Sequence, residues 1–232
     1  YSLGRTATRL ADFEKGLRII RDLLHDRGIR VAGGEERDAG TVFLKAGRRP
    51  VPVYISAEGP RTLRVAGRTC DGVILGTGFD LRVLQWAKDR ISEGAAEADR
   101  GAAEIDVMPA GMICVDDDGE QARRRVRSRM ANRAHHNFRF TYETVPEEER
   151  AGVKRFMENF DISKPIEERV DPKYVTDYLV ERFTIAGTPE ECAARVKRLE
   201  ASGVKRLLLT PPNAISTETM RAWGERVMPL CR

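Results

Sequence analysis

Two short apolar runs limit what this chain can fold into. Residues 51–56 (VPVYIS) are rich in β formers and are broken by Ala57-Glu58-Gly59-Pro60, and residues 71–75 (DGVIL) are broken by Gly76-Thr77-Gly78. After the first break, Pro60 suits the opening turn of a helix, which Leu63, Ala66 and Gly67 continue; after the second, residues 81–98 again read as helix. Residues 105–115 form a third strand pattern, 116–130 a further helix and 204–210 (VKRLLLT) a last strand. Strands that are apolar along their length and alternate with helices predict βαβ units, an α/β fold around a parallel sheet.

The flanking segments fit this frame. Leu10, Phe13, Leu17, Ile20 and Leu24 are spaced by threes and fours, one face of an amphipathic helix over residues 7–25, and Gly28 sits where that helix should stop. Residues 29–45 read as a loop or small hairpin. Thr188-Pro189-Glu190-Glu191 is a helix start: Thr188 can cap, Pro189 fits the first helical position and Glu191 completes a capping box. That helix runs to Ala201, Gly203 ends it, and residues 216–228 form a closing helix. Residues 131–181 are less regular and mostly helical, with Asp171-Pro172 as a cap and first-turn pair.

Composition removes several function classes. The chain has 232 residues, 41% hydrophobic and 33% charged, enough for one large domain or two small ones. Its longest apolar runs, 72–79 and 107–115, fall far short of the roughly 20 residues that span a bilayer, so no membrane partner is expected. A net charge of +4 is too mild to imply nucleic acid. The basic run 123–129 follows the acidic run 116–120, an order that suits the helix macrodipole and reads as a solvated helix face; a nucleic-acid surface over 123–133 lacks interleaved aromatics. Four dispersed cysteines and three histidines give neither a zinc pattern nor a disulfide framework. Reduced thiols point to the cytoplasm.

The chemistry concentrates at the two glycine-containing breaks. Consecutive strands of a parallel sheet open on the same face, small residues there let a ligand approach the backbone, and N–H groups at the following helix start favour an anion. Neither loop matches GxGxxG or GxxxxGK[ST]. The alternative is that these glycines only turn the chain.

Residues 52–67 (PVYISAEGPRTLRVAG) followed by 70–78 (CDGVILGTG) resemble the bacterial luciferase-like oxidoreductases, most closely the branch that includes the coenzyme F420-dependent methylenetetrahydromethanopterin reductases. Residues 2–5 (SLGR) with Ala11-Asp12-Phe13-Glu14, and Gly187-Thr188-Pro189-Glu190-Glu191 with Ala201-Ser202-Gly203-Val204, extend the resemblance over nearly the whole chain. It implies a TIM barrel in which backbone amides of Ala57, Glu58, Gly59, Gly76, Thr77 and Gly78 hold the phosphate of F420 or, alternatively, of flavin mononucleotide (FMN). Glu58 departs from the small or neutral residue often found there, and a carboxylate beside a phosphate is unfavourable unless it points away.

The implied function is hydride transfer between F420 and a small organic substrate. The alternatives are an FMN-dependent monooxygenase using oxygen, and a non-catalytic barrel subunit. No metal is expected, and no catalytic acid or base is identified. Against an eight-stranded barrel of about 250 residues, the four main strands read as strands five to eight of a single domain spanning residues 1–232. Residues 131–181 are then a helical insertion before the last strand, and roughly a hundred residues are expected upstream, by the same barrel length. The full-length form is expected to be a homodimer. The present stretch alone, with open sheet edges, is expected to aggregate or be inactive. In the insertion, His135, His136, Asn137, Arg139 and Tyr142 are candidates to close over substrate. Ser56 and Thr210-Pro211-Pro212-Asn213 are placed at strand ends bordering the same pocket, and His25 is given a structural role at a helix end.

Overall fold

A computed structural model describes residues 8–25, 27–31, 40–42 and 50–232. Residues 2–5, Ala7, and residues 32–39 and 43–45 of the expected hairpin lie outside it. The amphipathic spacing near the N-terminus becomes helix α1 (Leu10–Leu24), which buries Leu17 and carries Asp12 in its first turn and Arg21 in its last, as the macrodipole favours. Strands β1 (Ile29–Val31) and β2 (Gly40–Val42) pair antiparallel, with Ile29 opposite Val42. The strand–helix alternation follows as β3 (Tyr54–Ala57), α2 (Pro60–Thr69), β4 (Gly72–Leu75), α3 (Leu81–Ala96), β5 (Asp106–Val115) and α4 (Gly119–Thr141). The remainder is α5 (Glu147–Glu158), α6 (Asp177–Phe183), β6 (Thr184–Gly187), α7 (Pro189–Ala201), β7 (Leu208–Thr210) and α8 (Ser216–Ala222).

The larger sheet has the order β3-β4-β5-β6, with β7 also on β5. The ten residues of β5 serve two parallel partners: Ala110 to Met112 lie opposite Leu208 to Thr210, and Met112 to Val115 lie opposite Thr184 to Gly187. The α/β architecture around a parallel sheet expected from the sequence is thus present, with one more strand than the four expected. β6 escapes the sequence pattern because its four residues sit directly between the end of α6 and the cap of α7, too short a run to show a period. Two helices also differ. Helix α4 continues past Met130 to Thr141, and the closing helix gives way at Trp223 to a π-helical turn, Trp223–Val227.

The chain divides into two compact units, one drawn from residues up to 55, 61–73 and 90–106, the other from 56–60, 74–89 and 107–232. In the first, Asp71 ties α1 to the start of the strands: it accepts from Arg21 Nε (2.9 Å) and from the Val53 N–H (2.8 Å), and faces His25 Nε2 (3.1 Å). Gly67 lets α2 meet α3 closely, since a Cβ there would strike the Ile91 carbonyl. In the second unit, Ala122, Val126, Met130, Ala134 and Phe138 recur every four residues on one face of α4 and pack with Phe156, Leu179 and Phe183. Each such buried large side chain contributes about 1.5–3 kcal/mol. Phe183 of this core lies against Gly78 of the second glycine loop.

Candidate functional site

Strand β3 ends in the buried Ala57, and Glu58 and Gly59 lead into Pro60, the first residue of α2. Strand β4 ends at Leu75, and Gly76, Thr77 and Gly78 are all buried. The second loop is shaped by a distant backbone. Gly78 has φ +84°, and a Cβ there would strike the Arg182 carbonyl oxygen, to which the Phe79 N–H donates at 2.6 Å. Only glycine fits both demands. Gly59 differs: a Cβ there would make ordinary contact with the Phe140 ring at 3.6 Å.

Glu58 does not point away from the loops. Its carboxylate, 14% exposed, accepts from Asn137 Nδ2 (3.0 Å) and pairs with Arg133 Nη1 (3.5 Å). It also lies on Gly76: a Cβ on that glycine would strike Glu58 Oε1, with Arg133 Nη1 at 2.7 Å. The space between the two loops therefore holds an oxyanion, hydrogen-bonded by an amide and loosely paired with a guanidinium, and the chain itself supplies it.

Behind this carboxylate is a buried polar relay. Asn137 is fully buried; its Oδ1 accepts from Arg182 Nη2 (3.0 Å) and from the Thr141 hydroxyl (2.7 Å). Arg182, 1% exposed, also donates to Thr141 Oγ1 (2.8 Å), to the Tyr178 hydroxyl (3.0 Å) and, more weakly, to the Thr77 carbonyl (3.4 Å). Its guanidinium lies over Phe138 at 4.8 Å and Phe183 at 5.2 Å, favourable contacts for a desolvated cation. Burial works against the charge and lowers the Arg182 pKa, and burial raises that of Tyr178. The sequence Glu58–Asn137–Arg182–Thr77 runs from the first loop to the second through α4 and α6. The Thr77 hydroxyl is buried without a partner among the described residues. Arg182 and Thr141 carried no signal in the sequence: an arginine at a helix end reads as a surface cation.

The other candidates are dispersed. His135 stacks on Phe160 (4.0 Å, 8°), and burial, followed by the nearby Arg139 and His136, lowers its pKa; His136 meets Phe140 edge-on. Tyr142 donates to the Arg150 carbonyl, so these side chains do not converge with Asn137. Ser56 and Thr210 are exposed. The arginines of 123–129 each have an acidic partner: Glu120 and Glu191 for Arg123, Asp118 for Arg124, Asp116 for Arg125, Asp177 for Arg127 and Glu167 for Arg129. A cleft of about 650 Å³ between α4, α6 and α7 is lined by such paired groups and includes no residue of the glycine loops. Among the described residues, no three His, Cys, Asp or Glu side chains are grouped to hold a metal, and no helix is long and apolar enough to cross a membrane.

Comparison with known proteins bears on this geometry. The profile of a family described as luciferase-like monooxygenase matches residues 4–206. The chain is 25% identical over 236 aligned residues to a 5,10-methylenetetrahydromethanopterin reductase of Archaeoglobus fulgidus, covering 95% of this chain and 66% of that protein. It is 27% identical over 228 residues to an F420-dependent glucose-6-phosphate dehydrogenase of Beutenbergia cavernae, covering 97% and 61%. The solved structure of a coenzyme F420 dependent tetrahydromethanopterin reductase from Methanopyrus kandleri has the same fold, with a TM-score of 0.71 at 23% identity over 95% of this chain and 63% of that one. The chain thus spans less than two thirds of the length of each of these relatives.

Proposed function

This chain belongs to the luciferase-like monooxygenase family, and on that premise we propose that it is part of an oxidoreductase passing a hydride between coenzyme F420 and a small organic molecule. The observation that carries the reading is the oxyanion held between the two glycine loops. A guanidinium and an amide N–H on a carboxylate are also the donor set for a phosphate, so the residues present fit the phosphate of the cofactor. Two relatives named for methanopterin reduction and F420-dependent dehydrogenation favour F420 as the group bound.

In this reading the backbones of Ala57, Glu58, Gly59, Gly76, Thr77 and Gly78 approach the phosphate. Arg182 fixes Asn137 and the Thr77 carbonyl from behind, so that both loops keep their spacing. The bound deazaflavin supplies the hydride chemistry. The task of the chain is to place the ring against the substrate and hold it there. Residues 1–232 form the C-terminal part of one barrel, with 131–181 as its helical insertion. We place the protein in the cytoplasm as a homodimer; its four free thiols suit a reducing compartment. The second reading, an FMN-dependent monooxygenase, is favoured by the description of the family itself.

The test is a fluorescence titration of the full-length protein with F420 and with FMN. Saturable binding of F420 alone supports the dehydrogenase or reductase; binding of FMN alone moves the protein to the oxygen-using class. Binding of neither overturns the cradle and leaves a non-catalytic barrel subunit. Gly59→Val localises the effect. Because Gly59 has room for a Cβ beside Phe140, weakened cofactor binding there reports blocked approach of the ligand, and unchanged affinity counts against the cradle.

A further inference from the structure

We infer that Arg133 and Asn137 form the side-chain half of a phosphate subsite and that Glu58 is its built-in competitor, exchanged for the phosphate when the ligand binds. The inference rests on the cradle reading given above. It extends that reading from the backbone to named side chains on α4 and assigns a ligand class, a phosphate mono- or diester.

The Glu58 carboxylate covers Gly76, the first residue of the other loop, where a Cβ would strike its Oε1. Such a crossing places a carboxylate within hydrogen-bond reach of a guanidinium and a buried amide, the geometry in which an oxyanion is held. A phosphate entering between the loops meets this carboxylate at close range, and two anions there repel. The repulsion is removed if Glu58 turns out and Arg133 changes partner.

The two cations near the site differ in freedom. The Arg133 side chain is 44% exposed and reaches Glu58 at only 3.5 Å, so it is held loosely enough to exchange. Arg182 is enclosed and spends its donors on Asn137, Thr141, Tyr178 and Thr77, so it stays fixed behind the exchange. Asn137 belongs to both sets: its Oδ1 is locked by Arg182 while its Nδ2 faces the exchanging anion. The Nδ2 donor is therefore oriented before the ligand arrives, whichever anion it serves.

The exchange separates Glu58→Gln from Arg133→Met in sign. With the full-length protein, F420 and FMN affinities are read by fluorescence, and inorganic phosphate is added separately while the melting temperature is followed at constant ionic strength. Glu58→Gln keeps the acceptor for Asn137 and removes the competing charge. It should tighten the cofactor by about tenfold or more, equivalent to about 1.4 kcal/mol, and enlarge the stabilisation by inorganic phosphate. Arg133→Met should weaken binding, and by a larger factor in the Glu58→Gln background, where Arg133 has no partner to give up. Arg133→Lys should recover part of the loss, which a role in folding alone does not predict. If the wild type binds cofactor but Glu58→Gln binds it equally or less tightly, the competitor role is wrong and the cradle survives. If Arg133→Met costs the same with and without Glu58, the exchange is wrong. If no form binds either cofactor or phosphate, the cradle and the exchange fall together.

Discussion

Replacing Arg182 with Met tests whether the polar relay or the apolar core defines the second loop. The methionine keeps much of the aliphatic volume beside Phe138 and Phe183 and deletes the guanidinium. The Tyr178 hydroxyl and the Thr77 carbonyl lose a donor, while Asn137 Oδ1 keeps the Thr141 hydroxyl. Each buried group left unpaired costs about 1–3 kcal/mol. Against this, the variant no longer carries a desolvated cation, a relief that has made some buried ion networks replaceable by apolar side chains. Here the guanidinium has neutral partners in its hydrogen bonds, three of them at 3.0 Å or shorter, so the bonds should outweigh the relief. The expected net loss is about 3 kcal/mol, read as a lower midpoint of urea unfolding at unchanged slope. Urea and thermal unfolding of the full-length protein measure it, with Arg182→Lys, which keeps the charge and part of the hydrogen bonding, falling between. A methionine variant as stable as the wild type would refute the reasoning: the cation would then cost as much as its bonds return, and packing alone would set the loop.

Other expectations are simpler. Gly78→Ala places a side chain at φ +84° against the Arg182 carbonyl and should destabilise by about 2–4 kcal/mol, read by urea unfolding. Thr188→Ala removes the acceptor for the Glu191 N–H in the capping box of α7 and should cost about 1 kcal/mol. The Arg68 guanidinium, hydrogen-bonded to Glu14 and assisted by Arg18, holds that carboxyl down from 4.5 to about 2. A folded pKa below the unfolded one means that this contribution is complete above pH 4.5 and fades as the pH falls from 4.5 towards 2; Arg68→Met should flatten that part of the acid-unfolding profile. Burial pushes the Cys192 thiol up to about 12, and Cys231 is the one cysteine that is not buried. Alkylation of the native protein at pH 8, mapped by mass spectrometry, should therefore mark Cys231 first.

What the sequence determined by itself was local and periodic. The spacing of Leu10 to Leu24, the capping box at Thr188 and the two apolar runs ending in glycine loops rest on interactions within a few residues, which the order of amino acids states directly. The family resemblance is carried by the same short runs. Tertiary structure decided the rest. Strand β6 is too short to declare itself and becomes a strand only through its partner β5. The direction of the Glu58 carboxylate is set by Asn137, 79 residues away in sequence. Arg182 becomes a buried relay because Thr77, 105 residues away, and Asn137, 45 residues away, supply its acceptors. Such roles belong to pairs that only packing brings together: a carboxylate between glycine loops and an arginine at a helix end acquire their chemistry from the partners that the closed core places beside them.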